Sequence, residues 1–321
     1  MLIKRRLGNS DIEISPIGLG CAQMSTTGMT SGVYPLAEAE EVVKASMAGG
    51  VNWFDTAEGY GGSEQALTTG LRSLGIKPGG VIIATKWLPM GRWASNISST
   101  IEERIRSLQG YPIDLYQIHN SSGFSSVKSE MREMAKLFGA NKIKAIGVSN
   151  FNAKQMSRAA EALHAEGLKL ISNQIRISLL SRNFEKNGIL ETAKKLGVTL
   201  IAYAPLHAGI LTGRFHDNPE AMKSTHYLRR NLMFGKASNL ELTKPLIVEL
   251  ERIAKAYGVS RSQVALNWVI SFYGDTVVAI PGASNQKQAK ENAEVMEFQL
   301  TEKELHRLDD LSREAVKALR L

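Results

Sequence analysis

An alternation constrains this chain more than any other feature. Eight short apolar runs recur at 17–21, 51–55, 81–86, 114–119, 143–149, 170–177, 199–204 and 276–281. Between and after them lie stretches with apolar residues at helical spacing, at 36–48, 63–74, 95–108, 126–138, 153–164, 184–196, 240–257, 261–272, 286–293 and 302–319. Runs such as Val81-Ile82-Ile83-Ala84 and Leu200-Ile201-Ala202 are apolar throughout, as strands covered on both faces must be. Eight strand-helix units with no linker between them predict a single α/β domain over 1–321, a (β/α)8 TIM barrel. A hairpin at 2–6 and 12–15 precedes it, extra helices end it, and 206–239 is expected to be irregular. The competing architecture is a doubly wound open sheet.

Composition removes several functions from consideration. The 43% hydrophobic and 22% charged fractions are those of an ordinary soluble globular protein. A net charge of +8 favours anionic ligands, but the basic residues are scattered, and the longest runs are only Lys4-Arg5-Arg6 and Arg229-Arg230. Nucleic acid is therefore not expected, whereas a phosphate-bearing cofactor suits the charge. The single cysteine, Cys21, leaves no intrachain disulfide, and the six histidines lack HxxxH or HExxH spacing, so no metal site is expected. No stretch approaches the roughly 18 apolar residues of a membrane span, and no apolar segment follows the basic N-terminus. A cytoplasmic protein that acts on a small molecule, without a membrane, is the expectation; the oligomeric state is open.

In a parallel barrel the C-terminal strand ends share one face, where chemistry collects. Here they carry Asp55, Lys86, His119, Ser149-Asn150, Gln174, Tyr203 and Pro281-Gly282. Polar residues commonly end strands, and each of these alone is unremarkable. An acid, a lysine and a histidine on three successive strands is a narrower pattern. Lys86 follows a mostly apolar run and needs a partner, which Asp55 on the neighbouring strand supplies. That pair closes a barrel structurally whether or not it works chemically.

Tyr60 sits in a glycine-rich loop (Gly59, Gly61, Gly62) after Asp55, with Ser63 expected as the N-cap of the next helix. An ammonium touching its hydroxyl stabilises the phenolate and is expected to lower its pKa, making Tyr60 a general acid. A neutral His119 is suited to orient a carbonyl oxygen. Ser149, Asn150 and Gln174 offer groups for a carboxamide, with loop capping as the plainer alternative, and Tyr203 offers a face for stacking. The turn Pro281-Gly282-Ala283-Ser284-Asn285 opens a helix whose first N–H groups suit a phosphate. Gly18-Leu19-Gly20 begins a GxGxxG pattern, but Gln23 holds its last position, so it is not a dinucleotide fingerprint.

Taken together in order, these motifs resemble the aldo-keto reductase family. They are Phe54-Asp55-Thr56-Ala57 with Tyr60 and 62–64, Thr85-Lys86, Asp114-Leu115-Tyr116-Gln117-Ile118-His119 and Ile146-Gly147-Val148-Ser149-Asn150-Phe151. Asn173-Gln174, Tyr203-Ala204-Pro205-Leu206 with 209–213, and Ile280-Pro281-Gly282-Ala283-Ser284 follow. The resemblance implies an NADPH-dependent reduction of an aldehyde or ketone, with NADH as a second possible cofactor and without metal. It makes Tyr60 the proton donor, tuned by Asp55 and Lys86, with His119 orienting the carbonyl. By the same resemblance Ser149, Asn150 and Gln174 hold the carboxamide, and Tyr203 stacks on the ring. Pro205, Leu206 and Arg214 border the pyrophosphate, and Arg214 and Arg229 of the long loop are candidates to supply charge for a 2′-phosphate. Gly20, Gly282, Ser284, Gln288, Glu291 and Asn292 complete the nucleotide side.

The chain departs from the family in three places: Ser284 where a basic residue is common, Arg176-Ile177-Ser178 after Gln174, and Asn120 in place of a tryptophan. Met24, Trp87, Trp93 and Phe124 are candidates to line the substrate pocket. The alternative function is that of an NADP-binding regulatory subunit like the potassium-channel β subunits. His119, where those carry asparagine, and the lack of an extension before Leu2 weigh against it. Another barrel enzyme, an isomerase or hydrolase, would carry a second catalytic carboxylate.

Overall fold

The computed structural model describes residues 4–27, 34–222 and 239–320. Strands β3 (Leu19–Gly20), β4 (Trp53–Asp55), β5 (Ile82–Trp87), β6 (Leu115–Ile118), β7 (Ile146–Ser149), β8 (Leu170–Arg176), β9 (Thr199–Tyr203) and β10 (Val277–Ala279) form one parallel sheet in that spatial order. Its two edges meet. The Gly18 N–H donates to Ala279 O at 2.8 Å, Ala279 N–H to Pro16 O at 3.0 Å and Gly20 N–H to Pro281 O at 3.1 Å, which closes the barrel. The open-sheet alternative falls on these bonds.

Side chains alternate across each strand and sort into two cores. Inside the barrel, Trp53, Ala84, Leu115, Ile201 and Val278 form an apolar layer with Ile171 and Ala145. The hairpin, β1 (Arg5–Arg6) paired with β2 (Glu13–Ile14), seals the N-terminal end by sending Leu7 and Ile14 into this layer. Outside it, the neighbouring residues Phe54, Ile83, Tyr116 and Leu200 pack against the helices. Two positions on from the apolar layer toward the C-terminal ends come Asp55, Lys86, Gln117 and Tyr203. A step of two along a strand thus converts a packed floor into a polar one.

Helices at Leu36–Ala48, Ala153–His164, Arg261–Phe272 and Glu302–Leu319 match the spacing closely. The expected helix at 184–196 is two, Asn183–Lys186 and Ile189–Leu196, because Gly188 stands between them at φ +82°. Ser63 is not an N-cap. Gly62, at φ +81°, occupies that place, and the Ser63 hydroxyl instead pairs with Thr56 Oγ1 at 2.6 Å, fastening the start of the helix to the end of β4. The described part of 206–239 is a run of short turns, His207–Thr212, Arg214–Asp217 and Pro219–Met222. Among the described residues, no helix is long and apolar enough to cross a membrane.

Candidate functional site

β4 and β5 place Asp55 and Lys86 side by side within the barrel mouth, both essentially without solvent contact at 1% and 0% exposure. An ammonium there must use all three hydrogens. Lys86 Nζ donates to Asp55 Oδ1 at 2.6 Å, to Thr56 O at 2.8 Å and to Tyr60 Oη at 3.4 Å. Burial opposes its charge, but Asp55 and Tyr60 outweigh that and hold the lysine above its usual range. The second carboxylate oxygen of Asp55 accepts from Gln174 Nε2 at 2.8 Å and Gln117 Nε2 at 3.2 Å, so the buried charge is fully satisfied.

Tyr60 lies on a 3-10 turn, Glu58–Tyr60, followed by the left-handed Gly61 and Gly62. A side chain on Gly61 would strike Thr27 Oγ1 at 2.0 Å, so the turn passes under the 21–27 segment only with glycine there. The expected lowering of the Tyr60 pKa is not found: burial is the largest influence and raises it, Lys86 pulls it down, and Asp55 adds to the rise. The phenol therefore keeps its proton, with an ammonium in place to stabilise the anion left once the proton is gone. His119 meets Tyr60 edge to face, centroids 5.5 Å apart. Burial, reinforced by the charge of Lys86, lowers the imidazole pKa to about 4, which keeps the ring neutral near pH 7. Its Nδ1 is buried without a hydrogen-bond partner among the described residues.

These groups form one end of a cleft of about 950 Å³. Asp55, Tyr60, His119, Ser149, Asn150, Gln174 and Tyr203 all border it. Asn150, left-handed at φ +59°, accepts from the Tyr203 hydroxyl at 2.9 Å and donates to His119 O at 3.2 Å, which anchors the outer end of the tyrosine. The Ser149 hydroxyl is spent on Gln174 O at 2.9 Å. The middle of the cleft is walled by Pro205, Leu206 and Arg214, whose guanidinium lies 4.3 Å from the Phe215 centroid. Here Ala204, His207 and Ala208 adopt left-handed conformations that cost each about 1 kcal/mol or more. Gly282, Ser284, Gln288, Glu291 and Asn292 also border the cleft, as does Gly20, which lies in register with Asp55. Ser284 N–H and Oγ both donate to Gln288 Oε1, and Asn292 Nδ2 donates to Gly282 O at 3.2 Å. Arg229 lies outside the described residues.

Two expectations about the substrate pocket are corrected. Trp87 and Met24 are buried in the outer core, Trp87 because it directly follows the inward Lys86 and so points away from the barrel. Trp93 and Phe124 do stand exposed, as a tilted pair 5.5 Å apart, on the loops after β5 and β6. Three features went unread in the sequence. Gln117 was legible in principle, being two residues from His119 and therefore inward. The ion-pair network behind Tyr60 was not: Arg104 pairs with Glu64 at 2.8 Å and Glu58 at 3.7 Å, Arg92 with Glu58 at 2.6 Å, and Thr85 donates to Glu64 at 2.6 Å. Nor was Gln23, whose buried Oε1, at the wall of the cleft, lacks a partner among the described residues. Among the described residues no group of three or more His, Cys, Asp or Glu is placed to hold a metal ion.

Comparison with known proteins agrees with this architecture. The model of the aldo/keto reductase family matches residues 16–313. An uncharacterized oxidoreductase of Mycobacterium tuberculosis is 32% identical over 304 residues, 94% of this chain and 90% of its own. The chloroplastic pyridoxal reductase of Arabidopsis thaliana is 28% identical, covering 96% of this chain and 86% of its own. The solved structure of glycerol dehydrogenase from Gluconobacter oxydans superposes with a TM-score of 0.82 at 28% identity, covering 98% of this chain and 96% of that one. A closed eight-stranded barrel, the strand-end residues and a family match over nearly the full length lead to one conclusion: this chain is an oxidoreductase belonging to the aldo/keto reductase family.

Proposed function

We propose that this chain reduces an aldehyde or ketone to the alcohol, with NADPH as hydride donor and Tyr60 as proton donor. The observation that carries the reading is Lys86, itself without solvent contact, whose ammonium bridges Asp55, the Thr56 carbonyl and the Tyr60 hydroxyl. A phenol that holds its proton at rest, beside a cation that favours its anion, is suited to general-acid work. The neutral His119 edge beside it has a ring nitrogen to offer a carbonyl oxygen, which keeps that oxygen within reach of Tyr60.

The cleft fits a dinucleotide on its own features. It holds about 950 Å³, a planar ring anchored through its hydroxyl to Asn150 borders it together with the acid, and the buried Oε1 of Gln23 has no donor among the described residues. Ser149, Asn150 and Gln174 would hold the carboxamide, Tyr203 the ring, and Pro205, Leu206 and Arg214 the pyrophosphate. Ser284, Gln288, Glu291 and Asn292 would hold the adenosine end, with Gly20 and Gly282 as further contacts to the nucleotide. When bound, the dihydronicotinamide supplies hydride to the carbonyl carbon; NADH is the second cofactor to test. Tyr60 then gives its proton to the oxygen, and Lys86 stabilises the phenolate left behind.

Pyridoxal reductase and 6-dehydroglucose reductase among the relatives direct the first assays toward pyridoxal, sugars and simple aldehydes. Loss of NADPH absorbance against that panel tests the activity. Tyr60→Phe is expected to abolish turnover while leaving nucleotide affinity within about twofold; turnover that survives the change removes Tyr60 as the donor.

A further inference from the structure

Arg176 stands two residues beyond Gln174 on β8, so the pleat carries it to the same mouth of the barrel, where it pairs in register with Tyr203 of β9. Its guanidinium lies 5.8 Å from the centroid of the Tyr203 ring. Tyr203 is a partition. It borders the larger cleft and, with Arg176, a second cavity of about 450 Å³; Arg176 borders only the second. The Tyr203 hydroxyl donates to Asn150 Oδ1 at 2.9 Å, which anchors the outer end of the side chain beside the cation.

We propose that Arg176 sets the redox preference of the nucleotide cleft, favouring the reduced over the oxidised nicotinamide, by holding a positive charge behind the tyrosine on which that ring stacks. The proposal rests on the assignment of the cleft to a nicotinamide cofactor. The two forms of that cofactor differ by one positive charge on the ring itself. A guanidinium drawing on the far face of Tyr203 leaves less negative potential on the near face, where an oxidised ring would be attracted. It would also repel an oxidised ring directly, and a neutral reduced ring would be indifferent to both effects. Because Arg176 is exposed, solvent screens the repulsion, and the bias amounts to roughly threefold in relative affinity. Such a bias favours release of the oxidised product.

The test is equilibrium titration calorimetry of NADPH and NADP+ with the wild type and with Arg176→Gln, Arg176→Lys and Arg176→Glu. In the wild type the ratio of the NADP+ to the NADPH dissociation constant is the reference. That ratio is expected to fall roughly threefold in Arg176→Gln, to stay near the wild-type value in Arg176→Lys, and to fall further in Arg176→Glu. The NADPH constant, which also reports that each variant is folded, should stay put. Higher ionic strength should shrink the wild-type bias and leave that of Arg176→Gln unchanged. A ratio that is the same in all four proteins, or an equal loss of both forms, overturns the proposal. Failure of the wild type to bind either form would instead overturn the cofactor assignment, and the proposal with it.

Discussion

A buried lysine has two explanations, and Lys86 can be made to separate them. Lys86→Met leaves the Asp55 carboxyl at 1% exposure with only the two glutamine amides, and removal of one partner from a buried pair costs roughly 3–5 kcal/mol. Replacing both partners, as Lys86→Met with Asp55→Leu, removes the stranded carboxyl and should recover most of that stability. Turnover should stay lost in the double variant, because the phenolate on Tyr60 would then have no cation beside it. Urea unfolding together with single-turnover reduction reads both quantities; recovered activity in the double variant would make the pair structural alone. The acid, base and histidine were legible at this scale because each ends an apolar run. The left-handed Ala204 and Ala208 were not, since nothing in an alanine announces a positive φ that its neighbours impose.

At the scale of elements, strand and helix periodicities read well wherever one face is packed. The long-range polar pairs read poorly. Glu58 and Arg104 are far apart in sequence and meet only because the 3-10 turn and the helix after β5 converge behind Tyr60. Glu130, on the Val127–Gly139 helix, is the same lesson in another form. It stands on the packed face beside Met131 and Met134, 2% exposed, and no hydrogen bond or ion pair of its carboxyl is found among the described residues. Burial alone pushes it up to about 7. A folded pKa above the unfolded value contributes stability that is whole below about pH 4.5 and is lost as pH rises through about 7. Glu130→Gln should therefore match the wild type near pH 4.5 and exceed it by about 2–3 kcal/mol at pH 8. Chemical denaturation at the two pH values checks this, and an equal gap at both would show that the carboxyl is solvated.

For the whole molecule, the decisive join outside the barrel is Arg182. Buried after β8, it pairs with Asp309 and, at 2.6 Å, with Glu185, donates to Ser312 at 2.9 Å and lies over Trp268 at 5.1 Å. It ties the C-terminal helix Glu302–Leu319 to the catalytic end of the barrel. Arg313 still pairs with Glu185 and Asp309 if it is removed, so Arg182→Met should cost roughly 2–4 kcal/mol. Hydrogen exchange should show that helix opening before the strands, and uniform loss of protection would refute the assignment. The seam between 16–20 and 279–282 has a consequence of its own. Its bonds join positions about as distant as the chain allows, so a ribosome that has released two-thirds of the polypeptide has made seven staves and no hoop. Until the last stave emerges, the inner apolar layer is open on one side, and that interval is when the nascent protein most needs a chaperone.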